Sequence, residues 1–481
     1  MKQMILSLLV VALLAPMGFA DDDVVPAFTP SQAFDVDPVK LPDFKHKNLD
    51  NGMQVYYIPD HELPLVNVRI MFPAGKLHNP MDKPGLNNFV ADMLLKGTEN
   101  RSATEIAETI DFVGGSINTG AGNNTMYMNC GVMSRDMELG FELMADALMN
   151  PTFPEDEIER LRMQRVSGLM TNVDDPGTIA DEQWNKWVYG DHPYSQPTVG
   201  TVESVQSFTR DDLVMQHQRL IVPGHAVMLL SGDFEYKDAQ KLVNKYFSGW
   251  IGNNPPQVLI AGAEADKGRE ILLIDDPNAV QSEVRMGYIL GPYNLGDDMY
   301  AFNLMDYIYG GGGFSSRLMK RVRTELGLTY GIYSGLDARV QNAAYSISGS
   351  TKNDGTGQFI TESLRLMEEA VENGFTQEEL RDAKAYMLGS YPRRFETPSQ
   401  VAGQFQNALI LDLGDPDEYI ANYRKKMAAV DLDDINEMAK KYLHPDQVRI
   451  VVVGNAEVVK PMLDEVGTVT VKSIDEFKTE M

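Results

Sequence analysis

Cysteine is almost absent from this chain of 481 residues: Cys130 is the only one. That count excludes an intrachain disulfide and a thiolate-based metal site. Histidine is sparse as well. The seven are His46, His61, His78, His192, His217, His225 and His444, and no two are four positions apart. A helix face with paired imidazoles, a common seat for catalytic zinc, is therefore missing. Basic residues number 42 against 69 acidic ones, a formal net charge of -27. Such a balance disfavours nucleic acid and anionic membranes as partners and favours solubility. The apolar run Met4 to Ala15 is too short to span a bilayer comfortably, so no membrane span is expected in the mature form.

That short run has its own reading. Lys2 precedes it, Gly18-Phe19-Ala20 follows it, and Asp21-Asp22-Asp23 come next, which is the pattern of a signal peptide cleaved near Ala20. A periplasmic or secreted protein is expected. A chain of this length exceeds one ordinary core. The expected organisation is a signal peptide at 1–20, an arm at 21–42, one domain at 43–251 and a second at 269–472, then a tail at 473–481. The linker, 252–268, contains Asn253-Asn254-Pro255-Pro256.

Periodicity places the elements. Strand-like runs lie at Met53 to Ile58, Leu65 to Phe72, within Ser116 to Met133, and at Glu270 to Ile274, Val280 to Tyr288 and Ala343 to Ser350. Helical patterns cover Pro84 to Lys96, Ala103 to Val113, Met137 to Met149, Glu155 to Met170, Asp298 to Tyr309 and Gly357 to Asn373. Others cover Gln377 to Ser390, Ser399 to Leu413 and Asp431 to Tyr442. Blocks also recur at an offset of 222: Thr152 to Glu157 with Gly374 to Glu379, Phe208 to Leu213 with Val430 to Ile435, and Pro223 with Pro445. A constant register across separate blocks is the mark of duplication. Two similar α+β units, each a sheet covered by helices, are predicted.

One stretch concentrates chemistry. Gly310 to Gly313 can turn tightly, and Ser315 and Ser316 can cap a helix with Leu318, Val322 and Leu326 on one face. Gly327 suits the C-terminal end of that helix, and Thr329 to Tyr333 read as a strand. Arg323 then lies in the last helical turn and Tyr330 at the mouth of the strand, where guanidinium and phenol could both hydrogen-bond one peptide carbonyl. The bland alternative has Arg323 complementing a helix dipole and Tyr330 filling core.

The pattern Phe314-Ser315-Ser316-Arg317-Leu318, with Arg323, Gly327, Leu328 and Tyr330, resembles the pitrilysin/insulinase (M16) family, which includes mitochondrial processing peptidases and bacterial relatives. Gly85-Leu86-Asn87-Asn88-Phe89-Val90-Ala91-Asp92-Met93-Leu94-Leu95-Lys96-Gly97-Thr98 is similar to the setting of that family's zinc motif, H-x-x-E-H. Asn88 stands at the first ligand position, Ala91 at the base and Asp92 at the second ligand position. The third, a Glu in the family, falls close to Gly168, with no replacement evident there. Gly114-Gly115-Ser116-Ile117-Asn118 resembles the family's G-G-x-x-N element, whose strand takes extended substrate at an open edge. His192-Pro193-Tyr194 with Gly200-Thr201 resembles its H-P-Y…G-T run, His192 being a loop residue and not a ligand.

The resemblance implies two homologous domains, each a mainly antiparallel sheet covered by helices. It implies that Arg323 and Tyr330 grip the substrate backbone and stabilise the oxyanion, with Gly115 and Asn118 contributing to substrate binding. No metal is expected in this chain. Zinc is expected in a partner subunit carrying H-x-x-E-H, and peptides are the expected substrate. The function implied is a zinc-less subunit of an exported heterodimeric metallopeptidase, inactive alone. The alternative is a non-catalytic peptide-binding or scaffold protein of the cell envelope.

Overall fold

A computed structural model of the chain describes residues 37, 39, 41–172, 174–252 and 268–478. The expected signal peptide, nearly all of the arm and most of the linker lie outside the described residues. The first half contributes strands β1 (Lys45–Asn48), β2 (Gln54–Pro59), β3 (Leu65–Phe72), β4 (Ser116–Ala121), β5 (Met126–Met133) and β6 (Val227–Gly232). Its helices are α1 (Leu86–Met93), α2 (Ala103–Phe112), α3 (Met137–Met149), α4 (Glu155–Asn172), α5 (Pro176–Tyr189), α6 (Val202–Ser207), α7 (Arg210–Leu220) and α8 (Tyr236–Phe247). The second half has strands β7 (Glu270–Asp275), β8 (Gln281–Gly291), β9 (Ile332–Leu336), β10 (Ala343–Lys352), β11 (Arg449–Gly454) and β12 (Thr468–Ser473). Its helices are α9 (Asp298–Asp306), α10 (Thr356–Asn373), α11 (Gln377–Ser390), α12 (Pro398–Ile410), α13 (Pro416–Ala429), α14 (Leu432–Tyr442), α15 (Ala456–Leu463) and α16 (Ile474–Lys478).

The two sheets share a topology over five of their six strands and differ at one edge, where β1 pairs antiparallel with β2 but β12 pairs parallel with β7. The first runs β1-β2-β6-β3-β5-β4 and the second β12-β7-β11-β8-β10-β9. Most pairings are antiparallel; β2–β6, β7–β11 and β7–β12 are parallel. Glu155 and Gln377, Pro176 and Pro398, Arg210 and Leu432, and Val227 and Arg449 each open matching elements 222 positions apart. The side-chain caps repeat too: Thr209 with Asp212 starts α7 as Asp431 with Asp434 starts α14. Earlier strands match at 216 (Gln54 with Glu270, Leu65 with Gln281, Ser116 with Ile332), so the offset grows before α11.

Each sheet buries one face against its own half's helices, forming two separate cores. The other face is covered by a helix from the opposite half. Ile179, Ala180, Trp184 and Val188 of α5 pack on Ile274, Val451 and Val453 of the second sheet. Val401, Ala402 and Phe405 of α12 pack on Tyr56, Ile58, Met71 and Leu229 of the first. Since α5 and α12 occupy equivalent positions, the exchange is reciprocal. The loop between β9 and β10 adds a polar clasp. Arg339 lies 4.2 Å over the Tyr189 ring and donates to Asn185 Oδ1 at 2.7 Å, while the Tyr189 hydroxyl donates to Asp337 at 3.0 Å.

Several expectations shift in detail. The stretch 473–481, read as a tail, takes in the last residue of β12 and then α16, whose Ile474 and Phe477 are buried beside α5. The expected strand at Thr329 to Tyr333 begins only at Ile332. Thr329 Oγ1 accepts from the Gly331 amide at 3.0 Å and donates to Ser350 O at 2.6 Å, so residues 329–331 form a turn. The helix expected at the Gly-rich stretch is largely π-helical, over Met319–Glu325, and a second π segment, Tyr307–Gly311, extends α9. Such segments are rare and gather at functional sites.

Candidate functional site

Two places hold the side chains singled out by the sequence. In the second half, Ser316 Oγ accepts from the Met319 amide at 3.3 Å and starts the π-helical turn that carries Arg323. Leu318 and Val322 are fully buried and anchor it. Gly327, at φ +66, ends it in the left-handed region, which a side chain would strain. The Leu328 amide then donates to Val322 O at 3.0 Å, closing the turn between Arg323 and Tyr330.

Tyr330 is 87% exposed, so the core-filling alternative fails. Arg323 is half-buried and its guanidinium stacks 4.2 Å over the ring of Phe314, itself 65% exposed. Among the described residues, neither the Arg323 guanidinium nor the Tyr330 hydroxyl has a hydrogen-bond or ion-pair partner. Two strong donors thus face outward with their capacity unspent. Phe314 also lines a cavity of about 780 Å3, with Tyr307, Gly311 to Gly313, Ser315, Lys320, Glu378, Asp382 and Tyr386. Below it, the buried carboxylate of Asp306 accepts from Ser334 Oγ at 2.6 Å and the Tyr345 hydroxyl at 2.8 Å. These bonds tie α9 to β9 and β10, and burial pushes the Asp306 carboxyl above its ordinary value.

The first-half place is α1. Asn88 and Asp92 share a face of the helix, and Ala91 between them is fully buried among core side chains. The Asn88 amide donates to Ala121 O at 2.9 Å, and its Oδ1 accepts from Arg165 Nη1 at 2.8 Å. The other nitrogen of that guanidinium pairs with Asp92 Oδ2. Burial pushes the Asp92 carboxyl up, opposed by Arg165 and Lys96. Gly168, one turn further along α4, is exposed with open space around it. These residues do not fit zinc: the amide and carboxylate are engaged by an arginine, and Ala91 has no atom to activate water. Among the described residues, no three His, Cys, Asp or Glu side chains are grouped to hold an ion.

Gly115 and Asn118 flank the start of β4, an edge strand of the first sheet. A side chain at Gly115 would meet Ile110 and Gly131 O within 3 Å, so glycine is required by close approach. Asn118 is exposed, and its Oδ1 accepts from Asn129 Nδ2 at 3.0 Å. Asn129 Oδ1 accepts from Arg69 Nε at 2.5 Å, and Arg69 in turn donates to Gln406 of α12, a polar row ending on the opposite half. His192 is a buried loop residue whose Nδ1 accepts from the Tyr194 amide at 3.1 Å. Sequence reasoning missed Arg165, Phe314 as a platform for Arg323, and the Asp306 tie.

Comparison with known proteins gives the family. The profile described as Insulinase (Peptidase family M16) matches residues 54–202, and that described as Peptidase M16 inactive domain matches 207–387. The chain belongs to the M16 family. Among its relatives is a Helicobacter pylori protein named non-peptidase homolog YmxG, 24% identical over 416 residues, which are 85% of this chain and 94% of that one. Another is a Bacillus subtilis protein named uncharacterized zinc protease YmxG, 24% identical over 409 residues, 84% of this chain and 96% of its own. The two names disagree at equal identity, so the site residues must decide between them. Among solved structures, an M16 inactive domain from Pseudomonas fluorescens superposes with a TM-score of 0.79 at 26% identity, over 86% of this chain and 98% of that one. The periplasmic protease PqqL from Escherichia coli matches in fold, with a TM-score of 0.75 at 14% identity, over 92% of this chain and 50% of PqqL.

Proposed function

We propose that this protein is the zinc-less, substrate-positioning subunit of an exported heterodimeric M16 metallopeptidase that processes or degrades peptides. The observation that carries this reading is the contrast between two places. At α1 Asn88 and Asp92 are engaged by Ala121 O and Arg165, and Ala91 offers no group to activate water. At the second-half turn, Arg323 and Tyr330 are held on a braced element with their donors unsatisfied. Donors fixed in advance at a reacting carbonyl are worth most when the site is closed off from water. Tyr330 donates to the oxyanion and Arg323 to a neighbouring carbonyl, while the partner, bearing H-x-x-E-H, supplies zinc and the base. The fold likeness to PqqL, of which this chain covers 50%, is compatible with a second M16 unit facing this one. The open edge of β4, with Gly115 and Asn118 at its start, suits addition of an extended peptide. The opening residues, read as a signal peptide, put the pair in the periplasm or outside the cell.

The test is reconstitution. Alone, the purified mature chain is expected to leave a mixed peptide library intact. Captured with the H-x-x-E-H subunit that co-purifies with it, it restores cleavage. Tyr330→Phe then lowers kcat by about 10²–10³ with co-elution unchanged. Full turnover by the Tyr330→Phe complex removes Tyr330 from the mechanism. A pull-down that yields bound peptides but no zinc-bearing relative favours the scaffold reading instead.

A further inference from the structure

We infer that Arg165 is a built-in cation: its guanidinium, clamped between Asn88 and Asp92, occupies the position where the i, i+4 pair of α1 would otherwise seat a divalent ion. Asn88 and Asp92 both turn towards α4, and the residue of α4 that reaches them is Arg165. The side-chain amide of Asn88 is oriented by Ala121 O, which leaves its oxygen facing the guanidinium. Asp92 supplies the balancing charge, and the Arg165–Asp92 pair is largely shielded from solvent. Lys96 lies on the same side and adds a second positive charge near that carboxylate. A divalent ion entering here would meet two cations and one carboxylate, a repulsive arrangement at short range.

The consequence is twofold. Metal is kept out by occupation as well as by lack of ligands, so restoring ligands alone does not restore binding. The guanidinium also ties α1 to α4, and removing it leaves a partly buried carboxylate without its counter-charge. This inference stands apart from the roles proposed for Arg323 and Tyr330, and either can fail without the other.

Cobalt uptake, read by its visible absorption, tests it on the full chain with folding checked by circular dichroism. The variant N88H/D92H/R165E, which swaps the guanidinium for a carboxylate on the same side chain's path, is expected to bind one equivalent. The variant N88H/D92H/G168E, which offers the same ligand types but keeps Arg165, is expected to bind none. Equal uptake by both, or none by the folded R165E variant, overturns the inference. A second measurement needs no metal. Arg165→Met should lower Tm, and adding Asp92→Asn to it should recover most of the loss, because the uncompensated charge is gone. Losses that simply add would show that the two side chains are not coupled, and would equally overturn it.

Discussion

Phe405 is the side chain on which the reciprocal packing of the halves can be tested most directly. It is fully buried, projecting from α12 of the second half onto the first sheet. Its ring meets Phe44 edge-on at 4.9 Å and Tyr56 at 5.6 Å. Replacing it with alanine removes this burial and leaves a cavity, which costs about 3–5 kcal/mol. The two aromatic contacts, about 0.5–1.5 kcal/mol each, fall within that figure. Against a total stability of about 5–15 kcal/mol this is a large fraction. Urea unfolding can be followed by the three tryptophans, Trp184, Trp187 and Trp250. Trp184 sits against the second sheet and Trp250 in the first half's core, so each half is reported. The expected result is one shared transition in the native chain, moved to lower urea in Phe405→Ala for both reporters. Two separate transitions in the native chain, or a loss below about 1 kcal/mol in the variant, would refute the idea that exchanged helices couple the halves.

Other outcomes follow from single positions. Gly327→Ala forces a side chain into a left-handed backbone and should cost about 1–2 kcal/mol, measurable by thermal unfolding, while displacing Arg323 relative to Tyr330. Arg323→Lys should leave stability within about 0.5 kcal/mol but lower cleavage by the reconstituted pair, because an ammonium lacks the planar fork of donors. Burial, with Arg339 and Lys76 nearby, holds the His192 imidazole down at about 4, against 6.5 in the unfolded chain. The unfolded chain therefore binds more protons between those values, and stability falls as pH drops from 6.5 to 4, by up to about 3 kcal/mol. His192→Asn keeps an acceptor for the Tyr194 amide and should flatten that fall; an unchanged pH profile would assign the loss to other groups.

Much of the architecture was legible because it depends on local periodicity. The strands at Leu65 to Phe72 and Ala343 to Ser350, and the paired elements at an offset of 222, all emerge as expected. Caps such as Thr376 with Glu379 fix helix starts from four residues alone. The exchange of α5 and α12 was not legible, since an apolar stripe looks the same whichever sheet it covers. Nor was Arg165. It lies three residues beyond the run Glu155-Asp156-Glu157-Ile158-Glu159-Arg160-Leu161-Arg162, in a helix whose dense charges read as a solvated face. Its partners are more than seventy positions away, on α1. The π-helical turns were hidden for another reason. A hydrogen bond lengthened by one residue leaves no mark in composition, yet it sets where Arg323 emerges. Tyr330 was misplaced onto a strand because its aromatic, β-branched neighbours mimic one, whereas Thr329 folds the backbone into a turn.

The crossed placement of α5 and α12 sets a lower limit on what can fold. Cut near residue 260 and made as two pieces, the protein would leave each fragment with a naked sheet surface and an oily helix lacking any bed. Neither fragment is a self-sufficient module, despite each owning a complete sheet. Since the borrowed helices are equivalent, two identical fragments could satisfy one another only by joining as a twofold pair, the arrangement that this single chain contains within itself.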